Sequence, residues 1–172
     1  MGCDIHCCIE YASRPSSDDS LWDYTPFAWE INLGRDYDLF ALLAGVRGRD
    51  GVVPVCEPKG LPEDVSTAFL LHSSYKIDDE LAALEVDGYC SREEAEQWVQ
   101  EGSSLSVGET AVTNPDWHSI SWLNVAELQE VQRRYRLLHD ADHLKLSAVI
   151  AAMGALDNQQ GGRSRLVFWF KG

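Results

Sequence analysis

Asp4 and His6 stand two residues apart in the run CDIHCCIEY over residues 3–11. A carboxylate and an imidazole are both ligands for zinc, iron or manganese. On a strand, residues two apart share a face with Cα atoms about 6.5–7 Å apart, so these two side chains can converge on one divalent ion. Glu10 shares their face but lies about 13 Å beyond His6 at strand rise, too far to join them, and needs a separate role. His118 and His72 are the residues available as a third ligand. Such a set would make a metal-dependent hydrolase with a divalent metal as cofactor. The plainer reading is a partly solvated face with local hydrogen bonds.

Other residue groups allow other chemistry. His118 and Ser119, in HSIS over 118–121, set an imidazole beside hydroxyls in what reads as a loop before a helix; HSSY over 72–75 echoes them. A nucleophilic serine needs a base and an oxyanion hole, and no G-x-S-x-G elbow is present, so polar ligand contact suits His118 and Ser119 better. His139 and His143 have zinc spacing for one continuous helix, but Asp140-Ala141-Asp142 between them reads as a break. Arg133 and Arg136 share a helical face, and Arg163 and Arg165 flank the last turn and strand. Guanidinium groups suit bidentate recognition of phosphate or carboxylate, and Arg35, just before a helix start, can add to such a pocket. Against this stands simple pairing with the abundant acids. No phosphate-loop or dinucleotide-binding glycine motif occurs, and one of the six tryptophans is available to stack on a nucleobase.

Positioning these residues requires particular elements. Residues 3–11 alternate Ile5, Cys7, Ile9 and Tyr11 with Asp4, His6, Cys8 and Glu10, the period of a strand. Residues 12–20 read as a loop, and 22–30 as a strand that Pro26 confines to an edge. A helix is predicted over 36–46 with a stripe of Leu39, Leu42, Leu43 and Val46, and a short one from Pro62 to about Leu71. Two acidic helical pieces occupy 77–101, the second opened by a Ser91/Glu94 capping box and closed at Gly102. Residues 103–120 are polar and mixed. Asn124 and Glu127 cap a helix to about His139, and a second helix over 142–156 folds back on it through Leu144, Leu146, Val149, Ile150 and Met153. After a turn at 157–164, RLVFWF over 165–170 reads as a central strand. The expectation is one α+β domain over 1–172: a small sheet holding the first and last strands, packed with several helices and a C-terminal helical hairpin.

With 172 residues and 45% hydrophobic content the chain can bury a core. The five cysteines are odd in number and form no C-x-x-C pair, which suits reduced thiols in a cytoplasmic compartment. No apolar run approaches a membrane span, the first residues lack a secretory signal, and His6 stands where a myristoylation motif requires Ser or Thr. The net charge of −14 repels nucleic-acid phosphate and anionic membrane, so neither is an expected partner. Residues 132–172 nevertheless hold seven basic residues against three acidic ones, a local excess of +4 that leaves −18 for the first 131.

The opening MGCDIH with Glu10 four residues on, LGRDYDLFALLAGVRG over 33–48, GLPEDVS over 60–66, HSISWLNVAEL over 118–128 and the closing RLVFWF stand as islands along the whole chain. Together they resemble a family of uncharacterised proteins encoded by phages and prophages. That resemblance implies a setting, the bacterial cytoplasm during infection, where small accessory proteins often counter defences or modify the host. Three functions follow as expectations. The first is binding of a small anionic ligand such as a nucleotide signal, drawing on Asp4, His6, Arg35, His118, Ser119, Arg133, Arg136 and Arg165. The second is the metal-dependent hydrolase of Asp4 and His6. The third is an acidic protein–protein inhibitor of a host factor.

Overall fold

A computed structural model describes residues 2–12, 23–48, 50–159 and 162–172. In chain order the elements are β1 (Asp4–Ala12), β2 (Thr25–Ala28), α1 (Tyr37–Ala44), α2 (Thr67–Ser73), β3 (Tyr75–Ile77), α3 (Asp79–Ala83) and β4 (Tyr89–Cys90). They continue as α4 (Arg92–Gln100), β5 (Leu105–Ser106), β6 (Ala111–Val112), β7 (Trp117–Leu123), α5 (Val125–His139), α6 (Leu144–Asp157) and β8 (Arg163–Lys171). The fold class is α+β. The chain forms two compact units, one from Met1–Asp64 and His118–Gly172, the other from Val65–Trp117 between them.

The first unit is built on a sheet of order β2-β1-β8-β7, so the terminal strands are its central pair. β1 and β8 run antiparallel from Asp4 opposite Lys171 to Ala12 opposite Arg163. Cys3, Cys7 and Ile9 of the N-terminal segment join Leu166, Phe168 and Phe170 in the core. Successive strand side chains alternate between faces, which leaves Asp4, His6, Cys8 and Glu10 on the other. β2 pairs with β1 at the edge, where Pro26 opposite Glu10 costs no inner ladder bond.

α1 begins where the Asp36 carboxylate accepts from the Leu39 N–H, and it ends at Gly45, whose φ of 71° is the left-handed conformation that glycine reaches without a Cβ clash. Every residue from Leu39 to Ala44 is buried, so the expected stripe is an all-round apolar helix. α5 opens with the Asn124/Glu127 capping box and lies against α6. In α6, Leu146, Val149 and Met153 point inward, whereas Leu144, expected with them, is the first residue of the helix and is exposed.

The second unit holds a sheet of order β4-β3-β6-β5 with α2, α3 and α4. Its strands have two or three residues, too short for a period-two pattern to show. α4 carries the expected Ser91/Glu94 capping box. The short helix expected from Pro62 instead begins at Thr67, because the Ser66 hydroxyl caps it by accepting from the Phe69 N–H. The loop expected at 12–20 falls, beyond Ala12 in β1, outside the described residues.

Candidate functional site

The residues expected to share one site lie in separate places. At the outer end of β1, Asp4 accepts from Arg35 through Nε at 3.0 Å and an Nη at 2.7 Å. His6 stacks on Trp169, its partner across the ladder, with ring centroids 5.5 Å apart and planes 10° from parallel. Both face residues are therefore engaged, one by a cation and one by an indole. His118 and Ser119 lie in strand β7 rather than in a loop. The His118 Nε2 is 3.9 Å from the Cys3 Sγ, its Nδ1 is 3.2 Å from the Ser119 Oγ, and its ring stacks on Phe170. Cys3 and Phe170 belong to the core face, so His118 sits across the sheet from Asp4 and His6. His72 belongs to α2. Among the described residues no three His, Cys, Asp or Glu side chains gather as a metal-binding group.

Arg133 and Arg136 line a groove of about 340 Å³ on the α5–α6 hairpin with Gln132, Ser147 and Ile150. Each is already held in two-point fashion by its own acid, Arg133 by Glu130 and Arg136 by Asp142. Arg134 also donates to Glu130, and these hydrogen bonds hold the Glu130 carboxyl down at about 2. His139 and His143 flank the ring of Tyr135, whose hydroxyl donates to Asp36 at 2.7 Å. Burial and that bond push the Tyr135 phenol up to about 12. His139 meets Asp38 at 3.1 Å, while His143 caps α6 by accepting at Nδ1 from the Leu146 N–H. The expected break between the two histidines is real.

That cap sets a pH dependence. Only an unprotonated Nδ1 can accept, and burial depresses the His143 pKa below 6.5, with Asp36 opposing and Lys145 and His139 assisting. The unfolded chain then binds this proton first, so stability present above pH 6.5 is lost as pH falls toward and through the folded value. Asn is a strong cap that does not titrate, so His143→Asn is expected to flatten the thermal-stability profile between pH 7 and about 5.5. An unchanged profile would show that the acid sensitivity arises elsewhere.

The most structured site lies at the inner end of the two terminal strands. Glu10 and Arg165 face each other in register, with side chains 0% and 4% exposed. Arg165 donates to the Glu10 Oε2 from Nε at 2.8 Å and meets it from an Nη at 2.7 Å. Its other edge is taken by Asp64, through the carboxylate at 2.5 Å and the backbone carbonyl at 3.0 Å. The Tyr24 ring covers the guanidinium at 3.6 Å. Beside them the loop after Cys56 is pinned to β7, as the Lys59 N–H donates to the buried Ser121 hydroxyl and the Gly60 N–H to the Ile120 carbonyl. Lys59 extends over the Trp122 ring, 4.0 Å from its centroid, and pairs with Glu127, the capping residue of α5. Tyr24, Lys59, Glu63, Asp64, Trp122, Arg163 and Arg165 line an open cleft of about 730 Å³.

No protein-family model, curated protein or solved structure matches this chain.

The cleft thus stands on its own geometry. Of the residues expected to bind the ligand, Arg165 reaches it, together with Arg163 from the same arginine set. Asp4 and His6 share its face of the sheet but lie about 20 and 13 Å away along β1 at strand rise. Glu10, Asp64, Lys59, Tyr24 and Trp122 went unassigned by sequence reasoning. One signal was present: Glu10 and Arg165 are isolated opposite charges in two strands expected to share a sheet. Lys59 and Asp64 carried none, since a loop's path over a sheet edge leaves no periodic trace. No described helix is long and apolar enough to cross a membrane.

Proposed function

We propose that this protein binds a small anionic ligand bearing a flat ring, of the nucleotide-signal class, in the cleft beside Arg165. The observation that carries the reading is the joining of two aromatic side chains, Tyr24 and Trp122, with the cations Lys59, Arg163 and Arg165 around one cleft. Its 730 Å³ falls in the range of about 300–1,000 Å³ typical of small-molecule sites. Indole and phenol faces accept any base by stacking, and ammonium and guanidinium groups suit phosphate. Binding requires no catalytic base. The motif islands set this activity in the bacterial cytoplasm during phage infection, where sequestering a nucleotide signal is a counter-defence.

Calorimetric titration with a panel of linear and cyclic nucleotides tests the proposal. One class is expected to bind, with Trp122→Ala weakening it by about 1–3 kcal/mol through lost stacking. Arg133→Ala, on the hairpin, is expected to leave binding unchanged. If no nucleotide in the panel gives heat, the reading fails.

A second reading has its own observation. Residues 65–117 hold eleven acidic residues against two basic ones, a net charge of −9 in 53 residues. An inhibitor that engages a basic host surface would carry its charge in this way. Capture of one basic protein, weakening steeply with salt, favours it; salt-insensitive capture argues against it.

A further inference from the structure

The two carboxylates on Arg165 are not equivalent. Glu10 is fully buried in a central strand, fixed opposite Arg165 by the register of β1 and β8. Asp64 follows Pro62 in a loop, lines the cleft, and keeps 48% of its side chain exposed. A guanidinium has five N–H donors. Glu10 takes Nε and one Nη hydrogen; Asp64 takes two more through its carboxylate and carbonyl. Tyr24 covers a flat face. One cation thus meets two carboxylates, and on its outward edge the Nη that an incoming anion would use is occupied by the carboxylate that solvent can reach, beside the Asp64 carbonyl on the other.

We infer that the Arg165 edge held by Asp64 is the anion subsite of the cleft, and that the Asp64 carboxylate stands in for the terminal phosphate of the ligand. The inference rests on the reading of the cleft as a nucleotide site. When a ligand enters, the Asp64 side chain swings into solvent and an oxygen of a phosphate monoester takes the carboxylate's place on that Nη, while the Asp64 backbone carbonyl keeps its own hydrogen bond from the other Nη. Glu10 stays in place and keeps the guanidinium oriented, so the subsite is preformed. A terminal phosphate, with several free oxygens and close to two negative charges, competes with a carboxylate better than a phosphodiester does. The base would stack on the side of the Trp122 ring turned away from Lys59. Asp64 also explains how a buried arginine beside an open cleft is kept satisfied while no ligand is bound.

The test compares wild type with Asp64→Asn, which keeps the shape of the side chain and removes its charge. Calorimetry with adenosine 5′-monophosphate and with inorganic phosphate is the measurement, and thermal melts confirm that both proteins are folded. Asp64→Asn is expected to bind adenosine 5′-monophosphate about tenfold more tightly than wild type, and inorganic phosphate more tightly as well. Adding Arg165→Lys is expected to abolish the gain, because an ammonium is a single nitrogen and cannot hold Glu10 and the phosphate on separate, fixed donors as the guanidinium does. A role for Asp64 in loop anchoring alone would change the melt and not the affinity. If a nucleotide binds wild type and Asp64→Asn equally, or binds the variant more weakly, the subsite inference is overturned and the cleft reading stands. If neither protein binds any nucleotide, the cleft reading fails and the subsite falls with it.

Discussion

Replacing Arg165 with methionine is expected to destabilise the fold by about 3–5 kcal/mol, the usual cost of leaving a buried charge without its partner. The Glu10 carboxylate is fully buried in the central strand of its sheet, and its Oε2 takes both Nε and an Nη of Arg165. Once the guanidinium is gone, that oxygen loses both of these charge-assisted contacts. Asp64 loses its partner too, but its half-exposed side chain can turn to solvent at little cost. The double variant Glu10→Leu/Arg165→Met removes both charges and is expected to recover most of the loss, since apolar replacement of a whole buried pair is often neutral. Urea unfolding followed by both fluorescence and circular dichroism measures this. Two probes are needed because two compact units need not unfold together. If Arg165→Met alone costs less than about 1 kcal/mol, the pair does not hold the inner ends of the strands together.

Phe40→Ala should cost a similar amount by a different route. Phe40 is completely buried on α1 and meets Phe170 edge-to-face with centroids 5.1 Å apart. Truncation removes the transfer energy of a phenyl ring and leaves a void that close-packed neighbours fill only in part. The expected loss is about 3–5 kcal/mol. It enters through packing alone, so it should not change with salt, whereas the Arg165 effect is electrostatic. A loss below about 2 kcal/mol would show that α1 repacks against the sheet more freely than its all-round burial implies.

Much of the scaffold was legible because it is written in local chemistry. The alternation of residues 3–11, the apolar stripe over 36–46, the capping boxes at Ser91/Glu94 and Asn124/Glu127, and the continuous apolar run of β8 each act over a few residues, so they survive without knowledge of the fold. The short strands of the second unit were not legible, since two residues hold no period and a polar composition hides their pairing. Pro62 misled because proline suits a first helical turn and a plain turn equally well.

The site divides in the same way. The sequence by itself determined that the terminal strands meet, that Glu10 is detached from Asp4 and His6, and that the arginines concentrate near the C-terminus. Only the tertiary structure decided which acid each arginine meets. Arg35 met Asp4, Arg133 met Glu130 and Arg136 met Asp142 on solvated surfaces, where such pairs contribute little. Arg165, by contrast, met Glu10 inside the protein, because the β1–β8 register sets it against that acid. A register depends on the whole ladder and on the path of a loop that begins far away in sequence. The cleft therefore emerged from pairings over 101 and 155 residues of chain, distances at which no local pattern reports.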